Sequence, residues 1–340
     1  LFCSIDENGL VFDENKKRIT ERDVLEEFFA ELKVLESFQV VSVLHGQPVI
    51  VEAFDAPLVA HKMNLSPSKN SFMTAEGFEW NFELSTLIMD EWDRFHGVSA
   101  NGVPFVMTSA AQNSFFDQVD EFDDESITYL GKVHTLESFW PDAVDVEQES
   151  FWTEKYHNAE TGWDLGEPAS ALKSLLPKLK LPASKVLVLG GGGGHDAALF
   201  AEQGHHVTLV DISPEAIARA QTKYGHHINL SFLQMDLFDL PVELYGQFDL
   251  VFEHTCYCAI NPTLRNELVK QWRRLLTETG FLLGVFFTMP KRTGPPFGGS
   301  EWELRRRLQK GFQPMVWQRF RQSIKPRLGR ELLIYARKNV

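Results

Sequence analysis

Five consecutive glycines, Gly190–Gly194, separate the apolar run Lys185–Leu189 from His195 and Asp196. Glycines in such a place allow positive φ and let main chain approach a ligand closely. A phosphate-cradling loop needs a lysine and a hydroxyl directly after its last glycine. Here His195 stands five positions after Gly190 and no lysine follows. A dinucleotide fingerprint needs glycines at i, i+2 and i+5; started from Gly190, Gly191 or Gly192, its third position is His195, Asp196 or Ala197. What survives is Gly190-x-Gly192-x-Gly194, with Asp211 closing the next predicted strand 21 positions after Gly190. That spacing suits a carboxylate accepting hydrogen bonds from ribose hydroxyls at the end of a second strand. Metal chemistry fits less well. His254, Cys256 and Cys258 lack the second ligand pair of a zinc site, and the pairs His205-His206 and His226-His227 read as exposed loop groups, so no metal is expected.

These residues need a scaffold, and the second half of the chain supplies one by alternating strand and helix, the pattern of a parallel sheet covered by helices. Strands are predicted at 185–189, 206–210, 230–233, 248–253, 281–287 and 332–337. Helices are predicted at 196–203, 214–224 and 262–276. The first half reads as a small α+β domain. Thr20 is the expected N-cap of a helix over 21–36, where Val24, Leu25, Phe28, Phe29, Leu32 and Leu35 recur at helical spacing. Residues 38–44 and 48–54 flank His45-Gly46-Gln47 as a hairpin, and Phe78, Trp80, Phe82 and Leu84 alternate with polar residues as a half-buried strand. The boundary is expected near residues 142–150.

The glycine loop and its carboxylate resemble the class I S-adenosylmethionine-dependent methyltransferases, whose cofactor carries no diphosphate and so needs no loop lysine. The resemblance narrows further. Phe151-Trp152 with Tyr156, Thr161-Gly-Trp163-Asp-Leu-Gly166, the Gly-His-Asp ending of the loop, and Cys258-Ala-Ile-Asn-Pro262-x-x-Arg265 are similar to the thiopurine, thiol and halide methyltransferase family, its halide/thiol branch most of all. The likeness covers roughly residues 150–340. It implies that Gly190, Gly192, Gly194, Asp211, Ile212, Asp236, Leu237 and Glu253 hold the cofactor and that Trp152, Tyr156 and Trp163 cover it. Aromatic faces suit a permanent sulfonium cation, although Trp152 would serve equally as a core anchor. Glu253, His254 and Tyr257 are the candidates for orienting or deprotonating an acceptor, with His254 either a base or a hydrogen-bonded structural histidine. Trp163, Cys258 and Phe297 are the expected substrate-pocket residues. Three positions depart from the pattern: Val188 replaces a common acidic residue, His254 an aromatic phenol, and Phe297 a tyrosine. The last favours a thiol or related chalcogen compound over a halide. Gly294-Pro295-Pro296-Phe297 is similar to the Pro-Pro-aromatic motif of amino-methylating nucleic-acid enzymes, but it follows the fifth predicted strand rather than the fourth. The first half has some resemblance to an uncharacterised family of small bacterial domains, through Arg18-Ile-Thr-x-Arg22 and Asp55-Ala-Pro-Leu-Val-Ala60; that likeness implies no chemistry.

Composition agrees with a two-part globular protein. The 340 residues exceed one typical domain, with 44% hydrophobic and 24% charged residues. Net charge is −14, divided unevenly: residues 1–150 hold 29 acidic and 9 basic side chains, the remainder 18 and 24. The acidic half is a poor surface for nucleic acid, and the opposite signs would let the halves dock on each other. No apolar run is long enough to span a membrane. Leu1 is not a start methionine and no basic leader precedes an apolar core, so targeting information is missing or absent. Three cysteines suggest a reducing compartment, the cytoplasm. The expectation is an α/β chain: an acidic α+β accessory domain at 1–145 and a Rossmann-like, seven-stranded methyltransferase domain at 146–340. It would methylate a small soft nucleophile, most simply a thiol. The alternative is a non-catalytic S-adenosylmethionine-binding module with the acidic half as effector.

Overall fold

The computed structural model describes residues 1–141 and 145–339, so the expected boundary falls partly outside the described residues. The chain forms two compact units. One comprises Leu1–Asp142 with two later segments, Met289–Arg292 and Gly299–Glu303; the other comprises Ala143–Thr288, Thr293–Gly298 and Leu304–Val340.

The first unit is mainly β. A five-stranded sheet runs in the order 11–12, 2–5, 47–53, 40–44, 33–34, a second holds 137–138, 88–89, 95–98, 104–107 and 58–60, and two three-stranded sheets complete it. The expected hairpin is present: Val40–Leu44 pairs with Gln47–Ala53 through His45 and Gly46, both at positive φ, the geometry of a two-residue turn. The alternating segment forms Glu79–Phe82 with Trp80 and Phe82 buried. The first helix is shorter than its periodicity implied, Arg22–Ala30, and Thr20 does not cap it. Beyond Ala30 the chain turns extended, pairing Lys33–Val34 with Val40–Val41, so Leu32 reaches the core from outside any helix. Trp302, on one of the two later segments, donates its amide to the Phe54 carbonyl at 3.0 Å. Its ring meets Trp92 edge-on at 5.1 Å and lies 3.2 Å below the Arg94 guanidinium. Arg94 in turn reaches Asp55 at 2.6 Å and Asp90 at 2.8 Å.

The second unit carries one seven-stranded sheet. Its strands are β1 (Lys185–Leu189), β2 (His206–Asp211), β3 (Leu230–Gln234), β4 (Phe248–His254), β5 (Leu276–Phe287), β6 (Phe312–Arg319) and β7 (Glu331–Lys338), in the order β3-β2-β1-β4-β5-β7-β6. The first five strands in that order are parallel; β7 inserts antiparallel between β5 and β6. This is the Rossmann-like α/β architecture expected. β5 begins earlier than predicted, and β6 lies in a stretch whose alternation is too weak to read. Helix α1 (Glu149–His157) lies against α4 (Pro214–Tyr224), and α4 packs on the sheet with α2 (Ser170–Leu179), α3 (His195–Glu202) and α5 (Arg265–Leu275). Successive strand side chains point to opposite faces, and β1 follows the rule. Leu187 and Leu189 join the core containing Leu268 and Trp272 of α5, whereas Val186 and Val188 join that of Leu172, Phe200 and Ile217 on α2, α3 and α4. No described helix is long and apolar enough to cross a membrane.

Candidate active site

The order of strands reverses around β1 and β4, and in open parallel sheets ligands bind outside the strand ends at such a point. The glycine loop lies there. Gly190 and Gly192 have φ of +57° and +50°, a region that penalises any residue with a Cβ. A Cβ on Gly190 would sit 2.7 Å from Cys256 Sγ, and one on Gly192 would sit 2.8 Å from the Tyr156 hydroxyl. Asp211 ends β2 and is buried. Its Oδ2 accepts from the Gly192 amide at 2.8 Å and its Oδ1 from the Ser213 amide at 2.9 Å. Burial raises its carboxyl above the ordinary range, against the backbone donors that lower it. Ser213 caps α4 through the Ala216 amide, with Pro214 opening the helix.

Helix α1 and the turn after it bring the aromatics together. Trp152 and Tyr156 each meet Trp163 edge-on, at 5.7 and 5.8 Å between ring centroids. Trp152 Nε1 donates to the Val146 carbonyl at 2.7 Å. Tyr156 is buried, its carbonyl accepting from Arg219 at 2.6 Å. Burial first, then the negative Asp211, drives the Tyr156 phenol upward, so it keeps its proton.

Two imidazoles tie this cover to the sheet. His195 opens α3; its Nε2 donates to Asp164 Oδ1 at 3.0 Å and its Nδ1 is hydrogen-bonded to the Tyr224 hydroxyl at 2.7 Å. That bond holds the Asp164 carboxyl below its ordinary value. His254 ends β4; its Nδ1 lies 2.8 Å from Asp196 Oδ2 and its Nε2 lies 3.0 Å from Arg327 Nη1. A guanidinium has donors only, so Nε2 accepts and the proton sits on Nδ1. Burial lowers the His254 pKa, Asp196 more than restores it, and Arg327 opposes protonation; a second proton requires Arg327 to turn aside.

A cleft open to solvent results, lined by Trp163–Leu165, Glu167, Val188–Gly193, His195, Asp196, Phe252, His254 and Thr255. Of the expected site residues, Gly190, Gly192, Trp163 and His254 line it. Gly194 caps α3. Glu253 lies behind, buried, with Oε1 accepting from the Tyr257 amide at 2.6 Å and Oε2 lacking a hydrogen-bond partner; burial lifts its carboxyl to about 7. Tyr257 packs in the core against Trp272 and Phe286. Cys258 and Phe297 are buried together, the Phe297 amide donating to the Cys258 carbonyl at 2.7 Å. Burial lifts the Cys258 thiol to about 12. Ile212 follows Asp211, half-buried. Asp236 and buried Leu237 follow β3; Asp236 Oδ1 accepts from the Phe238 amide at 2.9 Å, and burial raises its carboxyl. Among the described residues, no three His, Cys, Asp or Glu side chains are grouped to hold a metal.

The family model of thiopurine S-methyltransferase matches residues 147–331. The chain belongs to the thiopurine S-methyltransferase family. Its similarity to "Probable thiol methyltransferase 2" of Arabidopsis thaliana is 32% identity over 188 residues, covering 54% of this chain and 82% of that protein. "Thiocyanate methyltransferase 1" of the same plant is 33% identical over 153 residues, 44% of this chain and 66% of the relative. "Thiopurine S-methyltransferase" of Xanthomonas campestris pv. campestris (strain 8004) is 26% identical over 181 residues, covering 45% and 83%. The family transfers methyl groups from S-adenosylmethionine to sulfur acceptors, and this member is an S-adenosylmethionine-dependent methyltransferase.

The residues of this family member fit that cofactor. Gly190–Gly193 present bare backbone to the cleft, and a Cβ at any of the four would come within 2.9 Å of a neighbour. Each Asp211 oxygen, used once, keeps a second acceptor site for a hydroxyl. When bound, S-adenosylmethionine supplies an electrophilic methyl group on a sulfonium. Sequence reasoning missed Asp164, Asp196, Tyr224 and Arg327 as parts of this assembly. Two carried a signal, since Asp164 stands inside Gly-Trp-Asp-Leu-Gly and Asp196 ends Gly-His-Asp. Tyr224 and Arg327 carried none.

Proposed function

We propose that this chain methylates a small soft thiol that reaches the cleft already ionised. The observation that carries the reading is the pairing of every titratable side chain lining the cleft. Asp164 holds His195, Glu167 holds Lys173 at 2.9 Å, Asp196 holds the Ala169 amide and His254, and His254 has both ring nitrogens engaged. Both imidazoles of that lining are thus held at both ring nitrogens, so neither His195 nor His254 is a free base at rest for an alcohol or amine. A thiol needs little help: with a pKa of about 8.5, a few per cent is thiolate at neutral pH. Methylating a thiolate neutralises charge, so an apolar surround favours it, and alignment is the main remaining demand. In this reading the Gly190–Gly194 backbone, Asp211 and Ile212 hold the ribose side of the cofactor, and Asp236 and Leu237 its base. Trp152, Tyr156 and Trp163 cover the sulfonium. Cys258 and Phe297 back the acceptor side, His254 orients, and Glu253 and Tyr257 support the strand end. Buried Phe297 brings no hydroxyl to solvate a halide, which favours thiols over iodide.

Residues 1–145 then supply most of an acidic accessory domain and residues 146–340 most of the catalytic domain, and the opposite net charges of the two stretches support docking of the one on the other. The three cysteines, free and buried, support a reducing compartment such as the cytoplasm. Purified protein incubated with S-adenosylmethionine and, in turn, small thiols, thiopurines, iodide and selenite should yield a methylated thiol by mass spectrometry. Cofactor binding without turnover of any of them would favour the regulatory-module alternative.

A further inference from the structure

We infer that Arg327 is a positioning residue: its guanidinium straps the Trp163 segment to the end of β4 and presets the tautomer of His254. Arg327 lies in the turn before β7, and its side chain is 7% exposed. Nη2 donates to the Trp163 carbonyl at 2.8 Å and Nη1 to His254 Nε2 at 3.0 Å. Glu331, also buried, stands 3.6 Å from Nη1, and the Phe287 ring lies 5.3 Å from the guanidinium carbon. One planar group therefore joins the turn after α1, β4 and β7. Both of the first two partners line the cleft, while Arg327 does not. It acts through them.

The fork matters as much as the charge. Two nitrogens of one guanidinium reach two acceptors at a fixed separation, which neither the single ammonium of lysine nor a glutamine amide on its shorter stem reproduces. Without the strap, the Trp163 segment is held by the bond of its neighbour Asp164 to His195 and by the edge contacts of its indole with Trp152 and Tyr156, and it is freer to leave the cleft mouth. His254 then loses the donor that makes Nε2 an acceptor, and its proton is no longer confined to Nδ1.

The inference rests on reading the cleft as the cofactor site, so the experiment keeps the two separable. Nitrogen-15 NMR of the imidazoles, without ligand, should report His254 as the neutral Nδ1–H form in the native protein and as a mixture, or as imidazolium, in Arg327→Gln. Calorimetry with S-adenosylhomocysteine should show binding weakened about tenfold in that variant, the loss of one charged hydrogen bond, with a smaller loss in Arg327→Lys. If Arg327→Gln does not fold, Arg327→Lys carries both measurements. Native-like His254 signals together with binding within twofold of native, in a folded variant, overturn the inference. Native protein that gives no heat with S-adenosylhomocysteine overturns the functional reading instead, and the imidazole signals still decide Arg327.

Discussion

Replacing Glu253 by glutamine isolates the energetic consequence of burying a carboxyl group at the end of β4. Glu253 is 1% exposed; one oxygen accepts from the Tyr257 amide and the other has no partner. Burial lifts its pKa from 4.5 to about 7. The folded-state value lies above the unfolded one, so the associated stability is complete below pH 4.5 and is lost as pH rises through about 7. The rise corresponds to about 3 kcal/mol. In Glu253→Gln the carbonyl oxygen still accepts from Tyr257 and nothing ionises, while any cost of the buried amide is the same at every pH. Urea denaturation of both proteins at several pH values between 4.5 and 8 should therefore show the variant gaining on the native chain by about 3 kcal/mol. Parallel stability curves across that range would refute the reasoning, because they would mean that the carboxyl ionises as easily folded as unfolded.

Two other substitutions test the loop and its carboxylate. Gly190→Ala meets about 1–2 kcal/mol of left-handed backbone cost and about 1–3 kcal/mol of overpacking against Cys256. Its urea midpoint should fall, and adding Cys256→Ala should recover the second part alone; an unchanged midpoint in the single variant contradicts the turn described. Asp211→Ala removes the acceptor for two buried amides and, on the proposed reading, for the cofactor ribose, so S-adenosylhomocysteine should bind about 1.5–3 kcal/mol more weakly by calorimetry. An identical titration would remove Asp211 from the site.

Local pattern explains what could be read from the chain in advance. The glycine loop, Asp211 and the alternation of strands and helices depend on spacing within some thirty residues, which period and turn chemistry determine. The first helix was read too long because Leu32 and Leu35 continue its 3.6-residue period, although Leu32 reaches the core from beyond the helix and Leu35 is exposed. Strand β6 hid because its burial scarcely alternates, with Gln313–Met315 exposed in succession. The polar ties of the cleft are non-local: His195 meets Tyr224 across 29 positions, His254 meets Asp196 across 58, and Arg327 meets the Trp163 carbonyl across 164. No periodicity encodes such pairs. His254 illustrates the gap. Its position at the end of a strand was legible, but whether it is a base or a fixed acceptor depends on an arginine far along the chain.

The tryptophan beneath Arg94 comes from residue 302, so no single cut separates the polypeptide into its two units. A fragment ending near residue 145 would leave Asp55, Asp90 and Arg94 bonded to one another with the guanidinium face bare. During synthesis the same face must wait until most of the chain has left the ribosome, a long loop closure of the kind that slows folding and leaves surface open to misassembly. The amino-terminal unit is begun first, yet it cannot be completed until residue 303 has been made.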